Sequence, residues 1–247
     1  MIKIGGLQKL TMVDYPGKIA ATVFLTGCNF KCGFCHNFDI VDPDIVSGRV
    51  PLPESEFFDF LDSKIGLIDG ICITGGEPTI NSDLMDFIKK IKDKGFLIKL
   101  DTNGSNPEML EKLLKDKLLD FVAMDVKTSP EKYEETIIGK IHPVKSRVAG
   151  SRHGGIFNRV KKSVDIIKNS GIDYEFRTTV VPGIIEKGDI EKIGQWLQGS
   201  KKFALQQFRN HKVLDKTFEK IQPYPDETLK EFKNILEKYI KKVELRT

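Results

Sequence analysis

The chain is predicted to fold as an α/β protein, a partial (β/α)6 TIM-like barrel left open on one side. Three observations predict this. Short apolar runs alternate six times with segments of helical period, the pattern of a parallel sheet whose strands are joined through helices. No composition break or low-complexity stretch interrupts the alternation, so residues 1–247 read as a single domain within the size range of α/β barrels. Unusual polar residues fall just past the predicted strand ends, where parallel α/β folds bind their ligands. Six units are too few to close a barrel that needs eight, hence the open side.

The N-terminus, through the turn at Tyr15-Pro16-Gly17-Lys18, reads as a short strand or hairpin feeding a first core strand at about 19–26. The Pro- and Asp-rich passage 39–55 has no period and is predicted as loop. Helix 54–63 precedes strand 71–74, and helix 82–93 places Leu84, Phe87, Ile88 and Ile91 on one face before strand 96–101. Asn106 as cap and Pro107 at the first helical position open helix 107–117, which leads to strand 120–125. A short helix near 130–136, helix 156–169 ending at Gly171 and strand 173–181 form the next unit. Helix 188–198, with the single tryptophan Trp196, leads to strand 203–208; helix 226–240 and a small closing strand at 242–246 follow.

Hydrophobic residues make up 40% of the chain, enough for a substantial core. The net charge of +4 is spread along the chain and falls well short of a nucleic-acid signature. The start, MIKIGGLQKL, lacks the apolar core of a signal peptide, and no 18-residue apolar run occurs, so a cytoplasmic protein with no membrane partner is expected. In a reducing compartment four cysteines read as metal-binding or free, not as a disulfide framework.

Three of those cysteines, Cys28, Cys32 and Cys35, crowd into TGCNFKCGFCHN where the first core strand opens into a loop. Soft sulfur ligands at this spacing can converge on zinc, copper(I) or an iron–sulfur cluster. Structural zinc sites and most closed electron-transfer clusters need four protein ligands. Three would leave a [4Fe–4S] cluster with one iron open to a non-protein ligand, which points to chemistry. A zinc knuckle using His36 is the competing reading, but adjacent Cys35 and His36 chelate one tetrahedral ion awkwardly, and no second Cys/His pair completes a finger. Inert buried thiols are the other; Cys72, alone in an apolar run, is read that way.

Past the remaining strand ends come Gly75-Gly76-Glu77-Pro78, Asp101-Thr102-Asn103-Gly104, Asp125-Val126-Lys127, Pro182-Gly183 with Arg177 inside the preceding strand, and Arg209. Polar residues thus collect at one rim, where they can converge on a single ligand. Turns and helix caps alone would account for the Gly-Gly, Asn-Gly and Asp positions. Gly75 and Gly76 allow a close backbone approach that a side chain would block. Arg177 offers a permanently charged bidentate fork suited to carboxylates.

The cysteine spacing followed by His36 and Asn37, together with TGGEPT, resembles the radical S-adenosylmethionine (SAM) superfamily. DTNG, DVK and the Arg177 strand are similar to the glycyl-radical-enzyme activating branch of it. VDYPGK, FLTGCNF, GIDYEFRTTVVPG and LQQFR extend the likeness over nearly the whole chain, most of all to anaerobic ribonucleoside-triphosphate reductase activating proteins of the longer type, which look like pyruvate formate-lyase activating enzymes. The resemblance implies a [4Fe–4S] cluster on Cys28, Cys32 and Cys35, and SAM with its amino group on the Gly75–Gly76 backbone and Glu77 offering negative charge nearby. It implies Phe34 beside the adenine, and ribose or carboxylate contacts from Asp101, Thr102, Asn103, Asp125, Lys127 and Arg177, directly or through a bound monovalent cation. It further implies a glycyl-radical enzyme as protein substrate and an electron donor such as a flavodoxin or ferredoxin. No amino-acid general base or nucleophile is required, and none is named. Arg209 departs from the pattern, standing where pyruvate formate-lyase activating enzymes have a histidine that reaches SAM; contact with SAM and contact with the polypeptide both stay open for it. The basic, acid-free stretch 139–155 also departs and reads as an insertion, either a solvated loop or a docking surface. Two other readings remain: the same core acting on a small molecule, a peptide or RNA, and a metal-stabilised binding module without turnover.

Overall fold

A computed structural model of the protein describes residues 2–138 and 155–247. The basic insertion read at 139–155 therefore lies, except for Gly155, outside the described residues.

The chain runs β1 (Ile4–Thr11), β2 (Ala20–Leu25), α1 (Phe38–Val41), α2 (Pro43–Ser47), α3 (Glu54–Asp62), β3 (Gly70–Gly75), α4 (Leu84–Lys92), β4 (Leu97–Thr102), α5 (Pro107–Lys115), β5 (Phe121–Asp125), α6 (Tyr133–Ile138), α7 (Ile156–Asn169), β6 (Asp173–Val180), α8 (Lys187–Trp196), β7 (Phe203–Gln207), α9 (Asp226–Leu236) and β8 (Val243–Arg246). The strands form one eight-stranded sheet in sequential order. β1 pairs antiparallel with β2, and every later neighbour is parallel. No pairing joins β1 to β8 among the described residues, so the barrel is open, as the count of units predicts. The predicted closing strand is real and adds a seventh parallel strand, β8, beside β7.

The helices form for local reasons. In α4, Leu84, Phe87, Ile88 and Ile91 are buried while Lys89, Lys90 and Lys92 crowd the last turn, where they favour the negative end of the helix dipole. Burying side chains of that size contributes about 1.5–3 kcal/mol each. Asn106 caps α5 by accepting from the Met109 amide, with Pro107 just behind it. The loop predicted over 39–55 is instead partly helical: Asp42 caps α2 by accepting from the Asp44 amide, and Pro43 starts it. Helices of four and five residues are too short to show a hydrophobic period, which is why the sequence pattern missed them. Among the described residues no helix is long and apolar enough to cross a membrane.

Side-chain alternation along the strands separates two interiors. Val23, Leu25, Ile71, Ile73, Ile98, Leu100, Val122, Phe176 and Leu205 join the helices in the main apolar core. The opposite face lines the barrel lumen. Its floor, at the N-terminal ends of the strands, is a separate apolar plug of Tyr15, Ala20, Phe121 and Ala123 with Leu97 packed against it. Above the plug the lumen turns polar, with Thr22, Lys99 and Glu175 all buried. Cys72 is fully buried as expected of a small interior residue, but in the lumen, its sulfur 3.6 Å from the Lys99 ammonium.

Candidate active site

At the C-terminal ends of the strands the lumen opens into a cavity of about 460 Å³, lined by Cys28, Cys32 and Cys35 together with rim residues of β3 to β8. The sequence-predicted residues Phe34, Gly75, Gly76, Asp101, Thr102, Asn103, Asp125, Lys127 and Arg177 all line it, as does Arg209. Glu77 does not.

The cysteine loop is held from several directions by its backbone. The Gly27 amide donates to the Ile40 carbonyl (2.8 Å) and the Lys31 amide to that of Ile137 (2.8 Å); the Cys35 and Gly33 carbonyls accept from the Leu214 and Asp215 amides at 3.0 and 2.9 Å. Phe30 and Phe34 are buried, and the Phe34 ring lies 6.2 Å from that of Phe218. Segments distant in sequence therefore fix where the thiols point.

Burial pushes all three thiols up, Cys32 to about 11, with Lys127 pulling against the shift at Cys32 and Cys35. Thiol protons must leave for metal to bind, so loading is coupled to proton release. Among the described residues no three His, Cys, Asp or Glu side chains are placed to hold one metal ion. All three thiols line the one cavity, as a cluster that offers each thiolate its own iron requires, and Cys72 does not line it.

The glycine pair has a reason beyond the ligand. A Cβ on Gly76 would fall on the Gly27 carbonyl, and one on Gly75, whose φ is +118°, on the backbone of Leu25. The amides of Gly76 and Glu77 donate to the Leu25 and Gly27 carbonyls at 2.9 Å each. The lack of a side chain at these glycines thus lets the backbone approach β2 and the start of the cysteine loop, in addition to any ligand at the cavity they line. Gly76→Ala is expected to force the two loops apart at about 1–3 kcal/mol, typical of overpacking. A lowered urea midpoint with reduced iron uptake would be the sign of it.

Glu77 was expected to set a negative charge beside a bound cation; the structure gives it another task. Its carboxylate is buried and accepts four hydrogen bonds, from the Thr79 amide (3.0 Å), the Thr79 and Thr102 hydroxyls (2.5 and 2.7 Å) and the Asn103 amide (2.6 Å). Burial pushes its pKa up while these donors pull it down. Held by these four donors, the Glu77 carboxylate braces the end of β3 against the DTNG turn. Asn103 continues the brace: its amide nitrogen donates to Asn29 (3.0 Å) and lies 3.9 Å from the Cys28 sulfur. Asn37, named with the cysteine motif, donates to the Gly75 carbonyl at 2.7 Å; Asn29 went unnoticed in the sequence because asparagine inside a cysteine loop reads as an ordinary loop residue.

Below the mouth lies a chain of ion pairs. Asp101 meets Lys99 and Arg177 Nη1 (3.1 Å), and Asp125 meets Arg177 Nε (2.8 Å) and Lys127 (3.0 Å). Burial alone would raise both acids, but the Arg177 charge, joined by Lys99 or Lys127, outweighs it and holds them below the usual carboxylate range. Fixed charges of both signs thus stand at the cavity, suited to a zwitterionic ligand. Arg246 of β8, a further lining residue that the sequence reading left unassigned, forks onto buried Glu175 at 2.8 and 2.7 Å.

Comparison with known proteins places these features. The family model of the radical SAM superfamily matches residues 22–197. A protein of Methanocaldococcus jannaschii named as a glycyl-radical enzyme activating enzyme is 36% identical over 245 residues, 99% of this chain and 95% of that one. The pyruvate formate-lyase-activating enzyme of Clostridium pasteurianum is 28% identical over 78% of this chain and 75% of its own. Among solved structures, Streptococcus suis SuiB bound to S-adenosylmethionine superposes on 90% of this chain with a TM-score of 0.62 at 14% identity, and this chain spans about half of SuiB, 48%. QueE from Escherichia coli matches 100% of this chain and 92% of its own at a TM-score of 0.50 and 14% identity. These two are likenesses of fold. The family match over most of the chain and the end-to-end relative go further: the chain belongs to the radical SAM superfamily, whose members use a [4Fe–4S] cluster and SAM, and within it to the glycyl-radical enzyme activating enzymes.

Proposed function

We propose that Cys28, Cys32 and Cys35 hold the [4Fe–4S] cluster, that SAM lies across the rim from Gly75 and Gly76 to Arg177, and that the protein installs a glycyl radical in a partner enzyme, the anaerobic ribonucleoside-triphosphate reductase. One radical SAM domain spans residues 1–247, works in the cytoplasm and takes its electron from a flavodoxin or ferredoxin. When bound, the reduced cluster supplies the electron that cleaves SAM to methionine and a 5′-deoxyadenosyl radical, which takes a hydrogen atom from the partner's glycine. The observation that carries this reading is that three thiols, and no fourth, line one cavity at the strand ends together with a fixed set of opposite charges.

The protein's own contribution is placement and exclusion. Asp101, Asp125, Lys127 and Arg177 are locked by one another, so charge recognition of SAM needs no reorganisation. Phe34 offers an apolar wall for the adenine, Asn103 keeps a second side-chain N–H for the ligand beside the one given to Asn29, and Thr102, its hydroxyl proton given to Glu77, lines the cavity with its backbone turn. The plug at Tyr15 and Phe121 seals the lumen below, keeping water and stray hydrogen donors from a radical formed above. Arg209, exposed at the mouth, is placed for the partner's polypeptide. Glycine suits such a site because its backbone carries no side chain and a small loop can enter from the open edge.

The test is isotopic. With the reductase, reductant and SAM under anaerobic conditions, deuterium on the partner's glycine should appear in 5′-deoxyadenosine, with an organic radical visible by electron paramagnetic resonance. Transfer from a small molecule, with no radical on the reductase, refutes the assignment of substrate.

A further inference from the structure

The last strand carries a charged residue that the SAM-binding motifs do not include. β8 lies two strands from β6, with β7 between them, and Ala204 of β7 stands in register with Arg177 on one side and Glu244 on the other. A methyl group there leaves room for the Arg246 guanidinium to cross the lumen to Glu175. Glu175 is 1% exposed and sits two residues before Arg177, on the same face of β6. Lys202 also reaches Glu175, at 3.3 Å, but divides its charge with Glu244 at 3.0 Å. Arg177 feels Glu175 as well, yet spends its hydrogen bonds on Asp101 and Asp125.

We propose that Arg246 is a positioning residue for SAM: by holding Glu175 in a bidentate pair, it keeps Arg177 committed to Asp101 and Asp125. Without Arg246 a buried carboxylate is left short of a cation, and Arg177 is its neighbour. An arginine drawn down to Glu175 releases the two rim acids, and the charged floor on which SAM rests loses its geometry. The open edge of the barrel thereby sets the charge pattern at the middle of the sheet. This inference rests on the proposed SAM site.

The test is SAM affinity of the cluster-loaded protein, with iron content and urea midpoint measured on the same samples. Arg246→Ala is expected to raise the SAM Kd about tenfold with iron content kept. Adding Glu175→Gln removes the competing charge and should bring the Kd back to within about threefold of the parent. Lys132→Met breaks a comparably buried pair, with Asp189, away from the cavity, and controls for general destabilisation: its SAM Kd should match the parent. A parental Kd in Arg246→Ala, or a Kd raised as much in Lys132→Met, overturns the proposal. So does a double variant as weak as Arg246→Ala, since Arg246 would then touch SAM itself. A parent protein that binds no SAM would instead refute the proposed function.

Discussion

Cys32→Ala is expected to lose the [4Fe–4S] absorption and all SAM cleavage, and Cys28→Ala and Cys35→Ala to do the same. In the proposed cluster each thiolate would hold a different iron, and a cluster left with two protein ligands would have two irons open to solvent. No reserve ligand is at hand. Cys72 is buried in the lumen beside Lys99, beneath the layer of Asp101 and Arg177, and does not line the cavity. Cys72→Ala should therefore keep iron, colour and activity. Anaerobic reconstitution followed by iron and sulfide analysis distinguishes the cases: about four irons per chain in the parent and Cys72→Ala, and little bound iron in the other three. A Cys32→Ala protein with full iron and activity would sink the assignment of the cluster.

Arg177→Met should have the next largest effect, and on stability before affinity. As a ligand contact alone, the residue would be worth about thirtyfold in SAM binding, the usual cost of one charge-assisted hydrogen bond. The structure raises the stakes, because Arg177 is the cation that Asp101 and Asp125 share. Removing one partner from a buried ion pair typically costs 3–5 kcal/mol, and the low end, about 3 kcal/mol, is expected here because Lys99 and Lys127 stay beside the two acids. The pH dependence gives the sign. Both acids have folded pKa values below their ordinary ones, so the stabilisation they contribute is complete above about pH 4 and is lost as pH falls through the depressed values. In Arg177→Met the acids have lost their main cation and take up protons more readily. The stability gap between parent and variant, read from urea unfolding of metal-free protein, should thus be widest near neutral pH and narrow in acid. A gap that stayed constant from about pH 4 down to pH 2 would show that the carboxylates do not depend on Arg177.

Much of this was legible in the sequence because it is a property of neighbours along the chain. Helical and strand periods gave six units, the ends of apolar runs marked the rim, and Cys28, Cys32 and Cys35 lie close enough together to announce a metal-binding loop without any knowledge of the fold. Short α1 and α2 escaped because one turn of helix has no period to detect. The side chains' partners were another matter. Glu77 reads as a ligand-facing charge until the DTNG turn is seen to surround it. Gly76 reads as a glycine for close ligand approach alone until the Gly27 carbonyl appears in the place of its Cβ and adds a packing reason. Arg246 reads as the charged end of a small edge strand until it is seen paired with Glu175, 71 residues earlier. Each of these contacts depends on the register between parallel strands, set by how the helices pack and not by any residue's sequence neighbours; the sequence by itself determined which groups gather at the rim, and only the tertiary structure decided which of them line the cavity and which are taken up by one another.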